Sequence, residues 1–253
     1  MTIQTFVISL PESKERRDSC MNFCYSAGLN PIWFEAIDGK KILNRYNEND
    51  NQIKKEIVQE DIVTLNLGFG RKVAIRDKLT AADVGCALSH LRIYKRMIDE
   101  NINLSLILED DCQLSKEFEP LIPKLIETSD KWDILQVIHD SGVRDFLFKR
   151  RIYLDNSNSI YLNREGMGIL DPIFNRRRCS FLASCYFINL KAAKKLVNIG
   201  FPVRIPADYL LGLVAFHKLR LFTLFPKDKF ARADQFESTI DTPAIRRPLH
   251  KLQ

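Results

Sequence analysis

The sequence predicts an α/β fold with a mixed central sheet, and three features carry that prediction. An apolar run near the start, Thr5-Phe6-Val7-Ile8-Ser9-Leu10, has the length and composition of a buried strand. Strand-like and helix-like patterns then alternate along the chain, as they do where helices cover a sheet. A second apolar run, Leu104-Ser105-Leu106-Ile107-Leu108, is short enough for a central strand and stops at three acids, Glu109-Asp110-Asp111. Residues 1–240 read as a single domain and residues 241–253 as a basic polar tail.

Pro11 opens a polar helical segment running to Ala27, where Gly28 offers a C-terminal stop. Ile32 to Ala36 has the pattern of a second strand and ends at Asp38-Gly39, a pair that favours a turn. Residues 40–78 are dense in Asn, Asp, Glu and Lys, with weak periodicity, which predicts an irregular excursion with short helices. Within it, Gly68-Phe69-Gly70-Arg71-Lys72 lacks the spacing and the Lys-Ser/Thr ending of a phosphate loop. Thr80-Ala81-Ala82-Asp83 has the form of a capping box with Asp in place of the usual Glu. Val84, Leu88, Leu91, Tyr94 and Ile98 share one face of the helix that follows, which Asn101 to Asn103 close. Beyond the acids come a helix interrupted by Pro120 and Pro123, a strand over Asp133 to Ile138, and loops with a hairpin around Tyr153 and Tyr161. Phe181 to Leu190 reads as a strand and Lys191 to Asn198 as a helix ended near Gly200. Pro202 and Pro206 mark a loop, Tyr209 to Phe216 an apolar segment, and Leu221 to Phe225 a last strand.

Composition narrows the class. With 45% hydrophobic and 28% charged residues in 253, the chain can fill a core, whereas a disordered chain would be poorer in Phe, Ile and Leu. The net charge of +6, from 38 Lys+Arg against 32 Asp+Glu, is too mild to argue for nucleic acid. The basic residues fall in clusters: Lys149-Arg150-Arg151, Arg176-Arg177-Arg178, and Arg246, Arg247, His250 and Lys251 in the tail. These suit either a solvated face or contact with anionic lipid headgroups or a phosphorylated acceptor. Cys20, Cys24, Cys86, Cys112, Cys179 and Cys185 form no CxxC pair and no zinc-type array, so they read as buried free thiols. No apolar run approaches the roughly 20 residues that span a bilayer. The opening strand leaves no pattern of a signal peptide. The expectation is a protein of the reducing cytoplasm, at most peripheral on the inner face of the membrane.

Three consecutive acids at a strand end repel one another and hold their protons more tightly unless a cation is present. Side chains alternate along a strand, so Glu109 and Asp111 are expected on one face and Asp110 on the other. That pair suits one hard divalent cation, at the carboxyl end of the sheet where open α/β folds bind ligands. Such a cation would neutralise charge developing on a departing nucleotide diphosphate. The alternative is an acidic loop that caps the next helix.

Four blocks, in order and spacing, resemble glycosyltransferase family 25 of lipooligosaccharide biosynthesis. They are Phe6-Val7-Ile8-Ser9-Leu10 with Glu15-Arg16-Arg17, Glu35-Ala36-Ile37-Asp38-Gly39, Asp83-Val84-Gly85-Cys86-Ala87-Leu88-Ser89-His90, and Leu106-Ile107-Leu108-Glu109-Asp110-Asp111. Ser184-Cys185-Tyr186-Phe187-Ile188 and Pro206-Ala207-Asp208 are looser matches, and Asp83 stands where the family pattern has Glu. The resemblance implies a GT-A-like, Rossmann-related nucleotide-sugar-binding fold. It also implies a UDP-sugar donor (often UDP-galactose), manganese, inversion at the anomeric carbon and a lipooligosaccharide or lipopolysaccharide acceptor. Residues 1–140 then form the sugar-donor half and 141–240 the acceptor half.

On this reading Glu109 and Asp111 hold the metal, while Leu10, Arg16, Arg17, Asp38, Gly39, Ser89, His90 and Asp110 line the sugar-donor side. Arg16 and Arg17 follow the first strand, where guanidinium forks suit a diphosphate; otherwise they begin a solvent-facing helix. Asp38 accepts from a uracil or ribose hydroxyl, or serves only its turn. His90 donates to a phosphate or the sugar, or is a satisfied core residue. Asp208 is the candidate base for the acceptor hydroxyl, or else the cap of the helix that follows it. Asp234 and Glu237 stand in reserve, and Gln235 with Glu237-Ser238-Thr239-Ile240 is expected to close over the sugar donor on resemblance alone. Two other classes compete: a non-catalytic carbohydrate-binding protein of the same fold, and a metal-dependent phosphohydrolase. The second gathers further acids and His around two metals, and the four His here lie away from the acids in sequence.

Overall fold

A computed structural model describes residues 3–68, 71–76, 78–140, 151–165, 180, 182–213, 217–233 and 250–251. The chain starts in β1 (Gln4–Ser9) and turns through a Ser13 N–H to Leu10 carbonyl bond of 3.1 Å into α1 (Lys14–Ser26), which begins three residues beyond Pro11. α1 stops where Gly28 takes a φ of +69°. The Gly28 and Leu29 amides then reach back to the Tyr25 and Cys24 carbonyls, each at 3.0 Å, and satisfy groups the helix leaves open. β2 (Pro31–Glu35) follows.

Asp38-Gly39 is not a turn. Asp38 caps α2 (Gly39–Asn47), its carboxylate accepting from the Lys40 and Lys41 amides. The excursion then holds α3 (Asn51–Glu56) and a hairpin, β3 (Ile62–Gly68) with β4 (Arg71–Arg76). Val63 and Leu65 point inward there while Thr64 and Asn66 alternate with them. The polar half of this alternation hid the strand in a segment already rich in charge.

α4 (Ala81–Asp99) begins with the predicted capping box: the Thr80 hydroxyl accepts from the Asp83 amide and the Asp83 carboxylate from the Thr80 amide. Its buried face is wider than the predicted stripe and adds Ser89, His90, Ile93 and Met97. β5 (Leu104–Glu109), β6 (Cys112–Leu114), a 3₁₀ turn (Lys116–Leu121), α5 (Ile122–Glu127) and β7 (Ile134–Gln136) come next. β8 (Arg151–Tyr153) and β9 (Tyr161–Arg164) form the expected hairpin, with Tyr153 paired to Tyr161. β10 (Cys185–Asn189), α6 (Leu190–Gly200), α7 (Ala207–Gly212), β11 (Leu221–Phe225), β12 (Ala231–Ala233) and β13 (His250–Lys251) complete the described elements. The described start of the apolar segment at Tyr209 lies in a short helix, Ala207–Gly212, and residues 214–216 lie outside the described residues. In the tail, His250 and Lys251 pair with β4.

The main sheet has eight described strands in the order β2-β1-β5-β10-β7-β11-β9-β8. β1, β2 and β5 run parallel, β10 lies antiparallel between β5 and β7, and β11 runs parallel to β7. The sheet is mixed, and residues from the C-terminal part sit inside it. Alternation divides the core: Phe6, Ile107 and Tyr186 face α4, α6 and α7, while Val7, Leu106, Leu108 and Phe187 face α1 and α5. Each such side chain contributes about 1.5–3 kcal/mol by burial. Asp133 closes the opposite edge, buried and bonded by Arg220 at 2.9 Å and Lys191 at 3.2 Å. Among the described residues no helix is long and apolar enough to cross a membrane.

Candidate active site

β1 and β5 run side by side with Ile8 opposite Glu109, so their carboxyl ends meet at one edge. The strand stops at Glu109, and Asp110 and Asp111 form the turn into β6. Strand alternation therefore does not extend to Asp111; the turn orients it instead.

The three acids have different surroundings. The Asp110 carboxylate accepts from the Ser9 hydroxyl at 2.8 Å and pairs with the Arg16 guanidinium at 2.5 Å. Burial still lifts its carboxyl above the ordinary range, against the pull of Ser9 and Arg16. Glu109 has one oxygen, Oε1, 3.2 Å from His90 Nε2 and 3.6 Å from Cys86 Sγ. Burial alone would raise Glu109, but the His90 hydrogen bond and charge, the Cys86 contact and the charge of Arg16 outweigh it and hold it low. Its side chain is 28% exposed, which leaves one side open to a ligand. Asp111 is pushed up to about 6, first by burial and then by the charges of Glu109 and Asp110. A carboxyl so raised is one whose ionised form would gain from a nearby cation. Glu109 and Asp111 together offer the hard oxygen donors that manganese, magnesium or calcium accept.

The other candidates divide into two groups. Arg16 joins the acids through Asp110. Arg17 turns the other way: its guanidinium stacks 4.1 Å from the Trp33 ring and reaches the Leu10 carbonyl at 3.5 Å. Trp33 in turn donates to the Ser9 carbonyl at 3.0 Å, which ties β2 to the site edge. Asp38, Gly39 and Ser89 fasten the loop after β2 onto α4. The Ser89 hydroxyl donates to the Gly85 carbonyl at 2.7 Å and accepts from the Ile37 amide at 2.8 Å. A Cβ on Gly39 would stand 1.8 Å from the Ala81 carbonyl, so only glycine permits this approach. His90 is buried, with Nδ1 2.6 Å from the Tyr186 hydroxyl, itself 2.5 Å from the Tyr94 hydroxyl.

Asp208 lies in the first turn of α7, where Pro206 takes the cap position, and accepts from the adjacent Tyr209 amide at 2.8 Å. Its carboxyl is pushed up to about 7, first by burial and then by the charges of Asp83 and Glu109. Cys86 is raised by burial and by Glu109, Asp208 and Asp83. The two termini of α4 and α7 thus bring Asp208 into the electrostatic field of the β5 acids. Asp234, Gln235, Glu237 to Ile240, Arg176 to Arg178, Arg246, Arg247 and Cys179 lie outside the described residues. Five cysteines are free, and Cys86 alone among them is only half-buried.

Ser9, Trp33, Cys86, Tyr94 and Tyr186 belong to this constellation without having been singled out. Cys86 and His90 carried a signal, a four-residue spacing on one helix. Tyr186 stood only within a looser family match, and its contacts were not legible, since its partners come from α4 across 92 and 96 residues of chain.

Comparison with known proteins points the same way. Procollagen galactosyltransferase 2 of Mus musculus is 25% identical over 216 residues, covering 83% of this chain and 30% of the relative. Its Homo sapiens counterpart is 24% identical over the same length, with the same coverage of each chain. The chain therefore spans about a third of the length of these relatives. The crystal structure of A197 from STIV superposes with a TM-score of 0.41 at 10% identity, covering 88% of this chain and 81% of that one, a likeness too remote to bear on function. The sequence model of Glycosyltransferase family 25 (LPS biosynthesis protein) matches residues 2–211, which include all four N-terminal blocks, the β5 acids and Asp208, and the chain belongs to that family.

Proposed function

We propose that this chain is an inverting glycosyltransferase of GT-A-like design. In this reading it moves a sugar, galactose from UDP-galactose before others, onto a glycan acceptor of the lipooligosaccharide or lipopolysaccharide class. The observation that carries the reading is the pair of differently conditioned acids, Glu109 and Asp111, at the carboxyl end of β5 in a family 25 chain. The galactosyltransferases among its relatives support the choice of sugar.

Glu109, kept ionised by His90, and Asp111, raised by its neighbours, would together hold a divalent ion, manganese first. Bound there, the ion supplies positive charge opposite a leaving diphosphate. Arg16 holds Asp110 and fixes the turn that presents Asp111. Asp208 removes the acceptor hydroxyl proton as that oxygen attacks the anomeric carbon and the bond to the nucleotide diphosphate breaks. A carboxyl near 7 suits this task, because at neutral pH it is partly ionised yet still basic. One direct displacement of this kind inverts the anomeric configuration.

The test is a screen of nucleotide sugars with manganese, reading nucleotide release with and without glycan acceptors. Asp111→Ala is expected to lose transfer by about 10²-fold or more while its circular dichroism is unchanged, because a half-exposed turn residue contributes little to packing. Full activity in that variant, or in excess chelator, rules the metal pair out. Donor binding without any turnover favours a carbohydrate-binding role, and donor hydrolysis without an acceptor favours a phosphohydrolase.

A further inference from the structure

Cys86 and His90 lie four residues apart on α4, so both side chains leave one helix face toward the end of β5. Cys86 Sγ and His90 Nε2 approach the same atom, Glu109 Oε1, at 3.6 Å and 3.2 Å. All three atoms lie within 4.8 Å of one another. Around a tetrahedral zinc ion, bond lengths set the sulfur-to-oxygen spacing at about 3.6 Å and the nitrogen-to-oxygen spacing at about 3.4 Å. The sulfur spacing to Glu109 Oε1 has that length, and the nitrogen spacing is about 0.2 Å shorter. The other ring nitrogen of His90 meets the Tyr186 hydroxyl, backed by Tyr94. This partner orients the ring, and because a hydroxyl can accept as well as donate, Tyr186 can accept from a proton held on Nδ1 once Nε2 binds an ion. Cys86 is half-buried, so its sulfur is not sealed from solvent.

We propose that Cys86, His90 and Glu109 form a second cation site, selective for a borderline-soft divalent ion such as zinc, and that filling it stops sugar transfer by engaging the Glu109 carboxylate on which the Glu109–Asp111 pair depends. Sulfur and imidazole donors suit zinc, whereas the oxygen pair Glu109–Asp111 suits hard ions. On binding, the Cys86 thiol gives its proton to solvent, the proton that Nε2 shares with Glu109 is displaced to solvent or taken up on Nδ1, and bonds form from the sulfur, Nε2 and Oε1. A fourth position remains for water. The site itself stands on geometry; the stoppage rests on the transfer reading given above.

Cobalt(II), titrated into the purified chain without sugar donor, tests the site. A thiolate-to-cobalt charge-transfer band is expected at one ion per chain, removed by added zinc. Cys86→Ser and Cys86→Ala are both expected to lose the band and to bind zinc at least about 10-fold more weakly. No band in the unaltered chain, or a band that persists in both variants, overturns the site. In manganese-supported transfer assays, zinc should inhibit the unaltered chain at least about 10-fold more strongly than either variant, each measured against its own zinc-free rate. A band without inhibition overturns the stoppage. Transfer that needs no manganese overturns the metal pair, and with it the stoppage, while the cobalt band still decides the site.

Discussion

Asp208 and Asp133 show how differently two carboxylates behave in one chain. Asp208 is raised to about 7 by burial and by like charges, against about 3.9 for an unfolded Asp. The folded chain therefore holds that proton more tightly than the unfolded chain. The cost of ionising Asp208 appears as pH climbs from about 4 to about 7 and is fully present above 7. Asp208→Asn is expected to melt higher than the unaltered chain at pH 8, with the gap closing below pH 4. If Asp208 is the base, kcat/KM rises with pH on a limb near 7, and the Asn variant loses the limb and about 10²–10⁴ in kcat while donor affinity stays close to normal. An Asn variant with normal turnover passes the role to Asp234 or Glu237. Asp133 is the opposite case. Burial works to raise it, but hydrogen bonds from the Arg220 side chain and amide and from Lys191 hold it well below the usual carboxylate range. Its stabilisation is present above the unfolded value of about 3.9 and fades as pH falls toward the lower folded value. Asp133→Ala leaves Arg220 and Lys191 without their buried partner. Because both cations reach solvent, urea unfolding at pH 7 should show a loss of about 1.5–3 kcal/mol; a loss under about 0.5 kcal/mol would mean the bonds to Asp133 contribute nothing to stability.

At the scale of elements, the contact between α2 and α4 governs the site's first wall. Gly39 and Gly85 face each other backbone to backbone: a Cβ on Gly85 would stand 2.5 Å from the Ile37 carbonyl and 2.9 Å from the Gly39 nitrogen. Neither neighbour is a side chain that can rotate aside. Gly85→Ala is expected to cost about 1–3 kcal/mol or more, a fall of roughly 2–4 °C in Tm for each kcal/mol. Because the shift is felt in the loop that Ser89 fastens, the KM for the sugar donor should rise too. Gly28 is a separate case, where Ala meets the cost of positive φ, about 1 kcal/mol, and no loss of site function follows. Scanning calorimetry of the two variants beside donor KM values distinguishes them. Equal Tm losses with an unchanged KM in Gly85→Ala would show that α2 and α4 do not shape the site.

For the molecule as a whole, the sheet brings three acids together at the end of β5 with Arg16 their nearest fixed cation, and a cation bound there stabilises the fold by mass action. Manganese at a hundred times its Kd should raise the unfolding free energy by about 2.7 kcal/mol. Asp111→Asn should remove most of that rise, and its metal-free form should be no less stable than the unaltered chain, because one of three crowded charges is gone. An equal manganese response in both forms, read by thermal shift, would move the ion elsewhere.

The sequence by itself determined the α/β fold, because long apolar runs and a capping box at Thr80 are local signals that tertiary contacts did not override. It also marked the acids at the end of β5, because three adjacent carboxylates after an apolar strand are legible at any packing. It did not reveal the β3–β4 hairpin, where polar residues occupy the outward half of a correct alternation. Nor did it show that Asp111 leaves the strand, since one residue decides whether alternation or a turn sets its direction. The ties that distinguish the acids were legible to no local rule: Ser9 and Arg16 on Asp110, and Tyr94, Tyr186 and His90 behind Glu109. They come from segments brought together when β1 pairs with β5, α4 packs on the sheet and β10 inserts between β5 and β7, and electrostatic environment depends on distance in space, which sequence spacing does not encode.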